Sequence, residues 1–325
     1  MDTANSKKRV RPVFNFFTSA DGLSICYGYW PSGQKDDGGT LLLLPGRREF
    51  MEKYSETIAA LNQRKYDVYS LDWRGQGLSD RQLPDRHRGF VRDYQDYLDD
   101  LDHLIQKIIR PRAKALPVCV AHSMGAHILL RYLHAHPGEI ARAILVSAMV
   151  DIRLPLYVRS LIRPITRLMK GLNREDAYVP GAGAYGASDR QFEGNRQTSD
   201  RRRFDREQRA IAENPDLALG GVTYAWLGAS LRSIDCTRAP GFGSRIRTPI
   251  LMLSAEKDRI VSNRAQRRLC AAMSACSLTR IAGARHEILM ECDSIRAAFW
   301  AAFDHFMSVG ERREVERHNK AHNLF

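Results

Sequence analysis

Nowhere does this 325-residue chain run to the ~18 consecutive apolar residues that a membrane-spanning helix needs, so an integral helical membrane protein is excluded. No two of its six cysteines are spaced as CxxC. Cys26, Cys119, Cys236, Cys270, Cys276 and Cys292 include several in apolar runs, where a thiol acts as a small hydrophobe. Neither a metal site nor a disulfide is expected. Internal repeats and long low-complexity tracts are missing too. The N-terminal basic cluster precedes a short aromatic run, Val13 to Phe17, too short for a signal-peptide core and without a small-residue cleavage site. It reads as the entry into the first strand, and a cytoplasmic location is expected. Acidic residues are the scarcer charge, 37 against 50 basic ones, for a net charge of +13. Such a balance suits nucleic acid, an anionic membrane or an anionic substrate, or is simply a solvated basic surface. With no nucleic-acid module in the sequence, the membrane or substrate readings are preferred and no nucleic acid is expected.

What is present is a repeated alternation of short β-rich runs with helical stretches. LSICYGYW (23–30), TLLLL (40–44), DVYSLD (67–72), PVCVAH (117–122), RAILVSA (142–148), PILMLSA (249–255) and SLTRIAG read as strands. Several are continuous apolar runs, as expected for strands buried on both faces. Helices are predicted over residues 53–64, 96–109, MGAHILLRYLHAH, NRAQRRLCAAM and DSIRAAFWAAFDHFM. This order argues for a mostly parallel central sheet flanked by helices on both faces, an α/β fold. Residues 151–247, rich in Arg, Gly and Pro, interrupt the rhythm with helical pieces such as LYVRSLIRPITRLMKGL and FDREQRAIAENP. An insertion there is expected to lie as a helical cap over the strands' C-terminal ends, where ligands bind. The expected division is a core of 1–150 and 248–310, a cap of 151–247 and a polar tail of 311–325, frayed or weakly helical.

The central motif is VCVAHSMGAH at 118–127. An apolar strand ends at His122, Ser123 occupies the turn, and a helix begins at once. A turn this tight needs small residues on either side of the serine; Gly125 and Ala121 supply them. It would expose the Ser123 hydroxyl above the sheet, beside the helix N-terminus and the Met124 N–H. A serine that merely caps a helix would give the same local pattern. A serine nucleophile needs a histidine base and a carboxylate to orient it. Asp258 follows the strand PILMLSA, and His286 follows SLTRIAG, in the order Ser, Asp, His and each just past a strand. Each partner has a plainer reading as a turn or cap residue. Asp151, after RAILVSA, is the alternative acid. His122 is expected to line or support the pocket, and His127, His134 and His136 to be packing or surface residues. The loop LLLLPGRREFMEKY, after the buried run, offers Gly46 for close backbone approach and the Arg47 N–H as the second oxyanion donor.

At this point LPGRREFMEKY, DWRGQGLSD, HRGFVRDYQDYLDDL, AHSMGA and RHEILME resemble the lysophospholipase L2 and monoacylglycerol lipase branch of the α/β hydrolases. The resemblance covers roughly Phe14 to Met149 and Thr248 to Met307. Pro45-Gly46-Arg47 stands where monoacylglycerol lipases usually have His-Gly, closer to the lysophospholipase L2 pattern. NPDLALGGVTYAWLGAS resembles the same branch, with Gly220, Gly221, Thr223, Tyr224 and Trp226 matching. The resemblance implies hydrolysis of a single-chain lipid ester, with no metal and no organic cofactor. It implies a Ser123, Asp258 and His286 triad, with Arg47 and Met124 as backbone donors. Gly46, His122, Tyr224 and Trp226 are expected at the substrate.

The apolar cap residues Tyr157, Leu161, Ile165 and Leu168 would line an acyl tunnel or merely pack on the core. Arg201, Arg202 and Arg203 would meet a lipid phosphate or an anionic bilayer, or form a solvated face. Three rivals stand beside the lipid-ester reading. One is a carboxylesterase or aminopeptidase-like hydrolase acting on small esters or amides. The others are a non-catalytic binding module and a basic nucleic-acid-binding protein.

Overall fold

The structure, a computed structural model, describes residues 12–33 and 38–322, without the side chains of residues 156, 157, 159 and 310–322. The N-terminal basic cluster and the side chain of Tyr157 therefore lie outside the described residues. Eight strands form one sheet: β1 (Val13–Thr18), β2 (Ser24–Trp30), β3 (Thr40–Leu44), β4 (Asp67–Leu71), β5 (Val118–His122), β6 (Arg142–Val146), β7 (Ile250–Ala255) and β8 (Cys276–Ile281). Their spatial order is β1-β2-β4-β3-β5-β6-β7-β8. The β1–β2 and β2–β4 pairings are antiparallel and the rest parallel. Val13 to Phe17 is thus a full edge strand, mostly exposed, where only an entry was expected.

The helices that carry the crossovers are α1 (Ser55–Gln63), α2 (Gln95–His103), α3 (Ser123–Ala135) and α7 (Asn263–Ala271), and α8 (Asp293–His322) follows the last strand; α4 (Leu156–Gly171), α5 (Arg201–Glu213) and α6 (Tyr224–Arg238) belong to the inserted segment. The expected helix over 96–109 is regular only to His103 and continues as a π-helical turn from Leu104 to Ile109. α6 went unread in the sequence. The tail continues α8 to His322.

Alternate residues of β3 and β5 feed two cores. Leu42, Leu44, Cys119 and Ala121 face the side covered by α2, α3 and α7. Leu41, Leu43, Val118 and Val120 face the side covered by α1 and α8, where Phe299 and Phe303 are buried. This two-sided burial explains why these strands read as unbroken apolar runs. The chain leaves β3 for β4 on one side, and β5 returns on the other. The ends of β3 and β5 therefore flank a topological switch point, the place where an open α/β sheet leaves a crevice.

Cys270 and Cys276 form a disulfide, with Cα atoms 5.4 Å apart. This corrects the expectation of six unpaired thiols. The last turn of α7 and the first residue of β8 are joined by a short turn that brings the two side chains face to face, a juxtaposition that spacing alone does not encode.

Candidate active site

The site is assembled from the C-terminal ends of the parallel strands. β5 delivers Ser123 at the first residue of α3, with φ of 50°. A non-glycine residue held in the left-handed region costs on the order of 1–3 kcal/mol and persists only where its surroundings enforce it. Gly125 provides the room: a Cβ there would lie 2.4 Å from the Pro45 carbonyl oxygen and 2.7 Å from that of Leu44. The loop after β3 can therefore cross directly over the start of α3.

His286 Nε2 lies 2.8 Å from Ser123 Oγ, and His286 Nδ1 lies 2.8 Å from Asp258 Oδ2. All three side chains are buried. Burial works to raise the Asp258 carboxyl, but His286 and the N–H groups of Val261 and Ile260 outweigh it and hold it below its usual value. Asp258 therefore accepts as a carboxylate and fixes the imidazole with Nε2 toward the serine. Asp151, the alternative acid, is elsewhere: its carboxylate pairs with Arg238. His127 bonds Ser233 at 2.7 Å, while His134 and His136 stack on Phe242 and Tyr132. These three pack, as expected.

Gly46 and Arg47 face the elbow from β3; a Cβ on Gly46 would lie 3.1 Å from Ser123 Cβ. Met124, in the first turn of α3, has no intrahelical acceptor for its N–H. Several residues that sequence reasoning missed brace this loop. Glu49 is buried, accepts the Gly46 N–H, and accepts Tyr54 O–H at 2.6 Å. Gln76 donates to the carbonyls of Gly46 and Glu49 at 2.8 and 2.9 Å, and Trp73 donates its indole N–H to Pro45 at 2.8 Å. The motif DWRGQGLSD thus acts as a splint for the loop after β3. The available signal was a set of polar residues beside a buried strand, but their partners cannot be paired from sequence.

His122 points away from Ser123 into this same network. Its Nδ1 lies 3.0 Å from Glu49 Oε1 and its Nε2 lies 3.2 Å from the His286 carbonyl oxygen. Both ring nitrogens face acceptors, so the imidazolium satisfies both. Burial disfavours that charge, yet Glu49 outweighs it and raises the His122 pKa above its ordinary value. Glu49 is in turn held well below the usual carboxylate range by His122 and Lys53, against the effect of burial.

A cavity of about 680 Å³ opens on Ser123 and His286. Its walls are mainly aliphatic, from Met149, Ile152, Val158, Ile162, Leu227 and Val261 among others. Tyr224 and Trp226 line it, as do Leu161 and Ile165 of α4. Leu168 is instead exposed. The arginine run is corrected in part. Arg203 is buried and bound by Glu56, Asp200 and Asp293 at 2.6, 2.7 and 2.5 Å, a structural cation unavailable to lipid. Arg201 and Arg202 remain on the surface, paired with Glu193 and Asp293 at 3.0 and 3.6 Å. Among the described residues no group of three or more His, Cys, Asp or Glu side chains is arranged to hold a metal ion.

The family model described as serine aminopeptidase, S33, matches residues 35–293. The probable lysophospholipase L2 of Haemophilus influenzae is 34% identical over 269 residues, covering 83% of this chain and 83% of that protein. Lysophospholipase L2 of Escherichia coli K12 is 34% identical over 301 residues, covering 89% of this chain and 86% of that protein. A soluble variant of monoglyceride lipase from Saccharomyces cerevisiae, solved with a substrate analog, superposes with a TM-score of 0.72 at 17% identity over 93% of this chain and 98% of that one. That last likeness concerns the fold alone. With a serine, histidine and aspartate in contact at the strand ends of an eight-stranded sheet, and a family match over most of its length, the chain belongs to the serine aminopeptidase S33 family of α/β hydrolases.

Proposed function

We propose that the chain is a serine hydrolase that cleaves the carboxylic ester of a single-chain lipid, a lysophospholipid or monoacylglycerol, through an acyl-enzyme. The observation that carries this reading is the Ser123–His286–Asp258 chain of contacts opening onto a largely aliphatic cavity of about 680 Å³. Its volume lies within the roughly 300–1,000 Å³ of small-molecule sites, and its walls suit an acyl chain better than a peptide. Residues 1–150 and 248–310 form the catalytic core in this reading, 151–247 the cap over the acyl chain, and 311–325 the tail.

His286 Nε2 takes the Ser123 proton as Oγ attacks the ester carbonyl, and Asp258 stabilises the imidazolium that forms. The Arg47 and Met124 N–H groups receive the oxyanion. Collapse expels the alcohol, protonated by His286, and leaves the acyl group on Ser123. Water activated by the same imidazole then releases the fatty acid. A fluorophosphonate probe is expected to label the wild type and not Ser123→Ala; equal labelling would remove Ser123 from this role. A panel of lysophospholipid, monoacylglycerol, p-nitrophenyl butyrate and an aminoacyl amide separates the lipid reading from the small-ester and amide alternatives.

No helix among the described residues is long and apolar enough to cross a membrane. Peripheral contact with an anionic lipid surface is the finer proposal, and α4 supports it. Leu161, Ile165, Leu168 and Leu172, spaced along one stripe, are all exposed. Arg167, Lys170 and Arg174 flank them in solvent. An apolar stripe between basic side chains suits an interfacial helix, and Leu161 and Ile165 join it to the mouth of the cavity. Co-sedimentation with phosphatidylglycerol vesicles is expected to fall steeply with salt and to weaken in Leu168→Ser. Salt-insensitive association, or none, would count against it.

A further inference from the structure

A second cavity, of about 220 Å³, adjoins the catalytic one and shares Arg47, Arg48, Gln197 and Glu287 with it. Its own walls are polar and include Asp189, Asn195, Glu207 and Gln208. The proposed acyl-transfer chemistry uses none of these side chains.

The oddity is Arg47. Two other arginines withdrawn from solvent in this fold are neutralised by carboxylates. Arg74 meets Asp100 and Asp21 at 2.6 and 2.9 Å, and Arg203 has the three carboxylates described above. Among the described residues Arg47 has no carboxylate. Its guanidinium donates to the Gly220 carbonyl at 2.7 Å and lies over the Trp226 ring at 5.1 Å. Its Nε is buried and makes no hydrogen bond. Burial, reinforced by the like charge of Arg48, depresses its pKa to about 9. The fold nevertheless makes room for it: a Cβ on Gly89 would lie 2.3 Å from Arg47 Nη2. A desolvated guanidinium without an anion is costly unless a ligand supplies one. Arg48, half-buried and tethered to Asp189 at 2.7 Å, lines the same junction.

The opposite imbalance stands on the other side. Lys53 is shared by Glu49, Glu207 and Glu287 at 3.5, 3.1 and 2.8 Å, so one cation meets three carboxylates. His122, even as an imidazolium, leaves one negative charge in excess. Glu207 and Glu287 face the small cavity, and Glu287 Oε2 is buried without a hydrogen-bond partner. Burial, only partly offset by Lys53, pushes Glu207 up to about 7. An orphan guanidinium nitrogen and an orphan carboxylate oxygen therefore line one polar chamber. The two arginines belong also to the catalytic cavity, whereas Glu207 belongs to the small chamber alone.

We infer that this chamber is the headgroup subsite for a zwitterionic glycerophosphodiester, with Arg47 and Arg48 on the phosphate and Glu287 and Glu207 on a primary ammonium. The order of charges matches the order of groups in an ethanolamine lysophospholipid, where phosphate follows the glycerol ester and the ammonium lies two carbons beyond. This rests on the lipid-ester reading and deepens it, giving the alcohol half of the substrate a place of its own.

Ether analogues separate the two claims because they cannot be hydrolysed. Binding of 1-O-alkyl-glycero-3-phosphoethanolamine, its phosphoglycerol counterpart and the plain 1-O-alkylglycerol is measured by calorimetry below their critical micelle concentrations. The ethanolamine analogue is expected to bind at least about tenfold more tightly than the alkylglycerol, as two charge-assisted contacts warrant. Arg47→Met should remove most of that preference, and Glu287→Gln should remove the preference for ethanolamine over phosphoglycerol. If Arg47→Met does not fold, Arg48→Gln serves as the phosphate variant. Equal affinity for phosphoethanolamine and alkylglycerol overturns the subsite; equal affinity for the two phosphodiesters overturns the ammonium assignment. Inorganic phosphate that displaces the analogue at the same concentration as glycerophosphoethanolamine would reduce the chamber to an anion site and also overturn it. Hydrolysis of the ester counterparts is read in parallel. Binding without hydrolysis refutes the lipid-ester reading and leaves the subsite; hydrolysis indifferent to headgroup does the reverse.

Discussion

Replacing Glu49 by glutamine tests whether the network beneath the oxyanion loop is catalytic support or ordinary packing. The carboxylate receives the Gly46 N–H, the Tyr54 O–H and His122 Nδ1 at once. Glutamine keeps the shape but offers only one acceptor oxygen, and its amide N–H₂ must face one of those donors. Losing a hydrogen bond to a buried charged group costs about 1.5–3 kcal/mol. Lys53 retains Glu207 and Glu287, so the loss should stay below the ~3–5 kcal/mol of a fully orphaned buried charge. For a chain of this size that is a fall in Tm of roughly 2–4 °C.

The pH dependence carries the sharper test. In the wild type His122 has a raised pKa in the folded state. Its contribution is fully present below its unfolded value of about 6.5 and is lost as pH rises through the folded value. In Glu49→Gln the carboxylate is gone and burial prevails, so the folded pKa drops below the unfolded one and acidification now destabilises. The gap in Tm between the two proteins should therefore widen from pH 8 to pH 5.5. With Gly46 released, kcat should fall about 10- to 100-fold with a smaller change in KM, less than the ~10²–10³ for deleting an oxyanion donor. A gap in Tm that is constant or narrows on acidification refutes the Glu49–His122 coupling. An unchanged kcat in a destabilised variant reduces Glu49 to a packing residue.

Asp258→Asn should lower kcat about 10⁴-fold while leaving the fold intact, because the amide favours the wrong imidazole tautomer; near-normal turnover would exclude Asp258 as the orienting acid. Gly125→Ala drives a methyl group into the backbone oxygens of Pro45 and Leu44, and urea unfolding should show a loss of about 1–3 kcal/mol or more with a collapse of kcat. Wild-type stability there would mean that the loop after β3 is not held against α3. Thiol titration of unfolded, unreduced protein should find four free cysteines of the six, with Cys270 and Cys276 silent. Six would show that the pair stays reduced, as in a reducing compartment.

Legibility followed the distance over which a residue's partners are set. β3, β5, β6 and β7 could be read because covering a parallel sheet on both faces writes unbroken apolar runs into the sequence. The Ser, Asp, His order could be read because the topology sends every parallel strand's C-terminal end to one edge. α6 could not be read, since it is buried around most of its circumference and shows no polar stripe. β1 was underread for the opposite reason: as an edge strand it exposes Phe14 and Phe16 and buries only Phe17, so no alternation marks it.

Charge obeyed the same limit, with a useful reversal. Arg201, Arg202 and Arg203 look alike in sequence, yet only Arg203 is buried, because Glu56 and Asp293 converge on it from 147 and 90 residues away. Lys53 finds Glu287 across 234 residues. No local pattern foretells such pairings, so a run of arginines in the cap said little about ligands. Only when buried cations are set against the carboxylates around them does an unpaired one acquire meaning. Arg203, which the run brought forward, is fully neutralised by protein. Arg47, singled out for its backbone N–H, has a side chain that meets no carboxylate among the described residues, and it stands at the junction of the two cavities. The ligand's charge is therefore read from what the folded chain leaves unpaired, a quantity that exists only after folding.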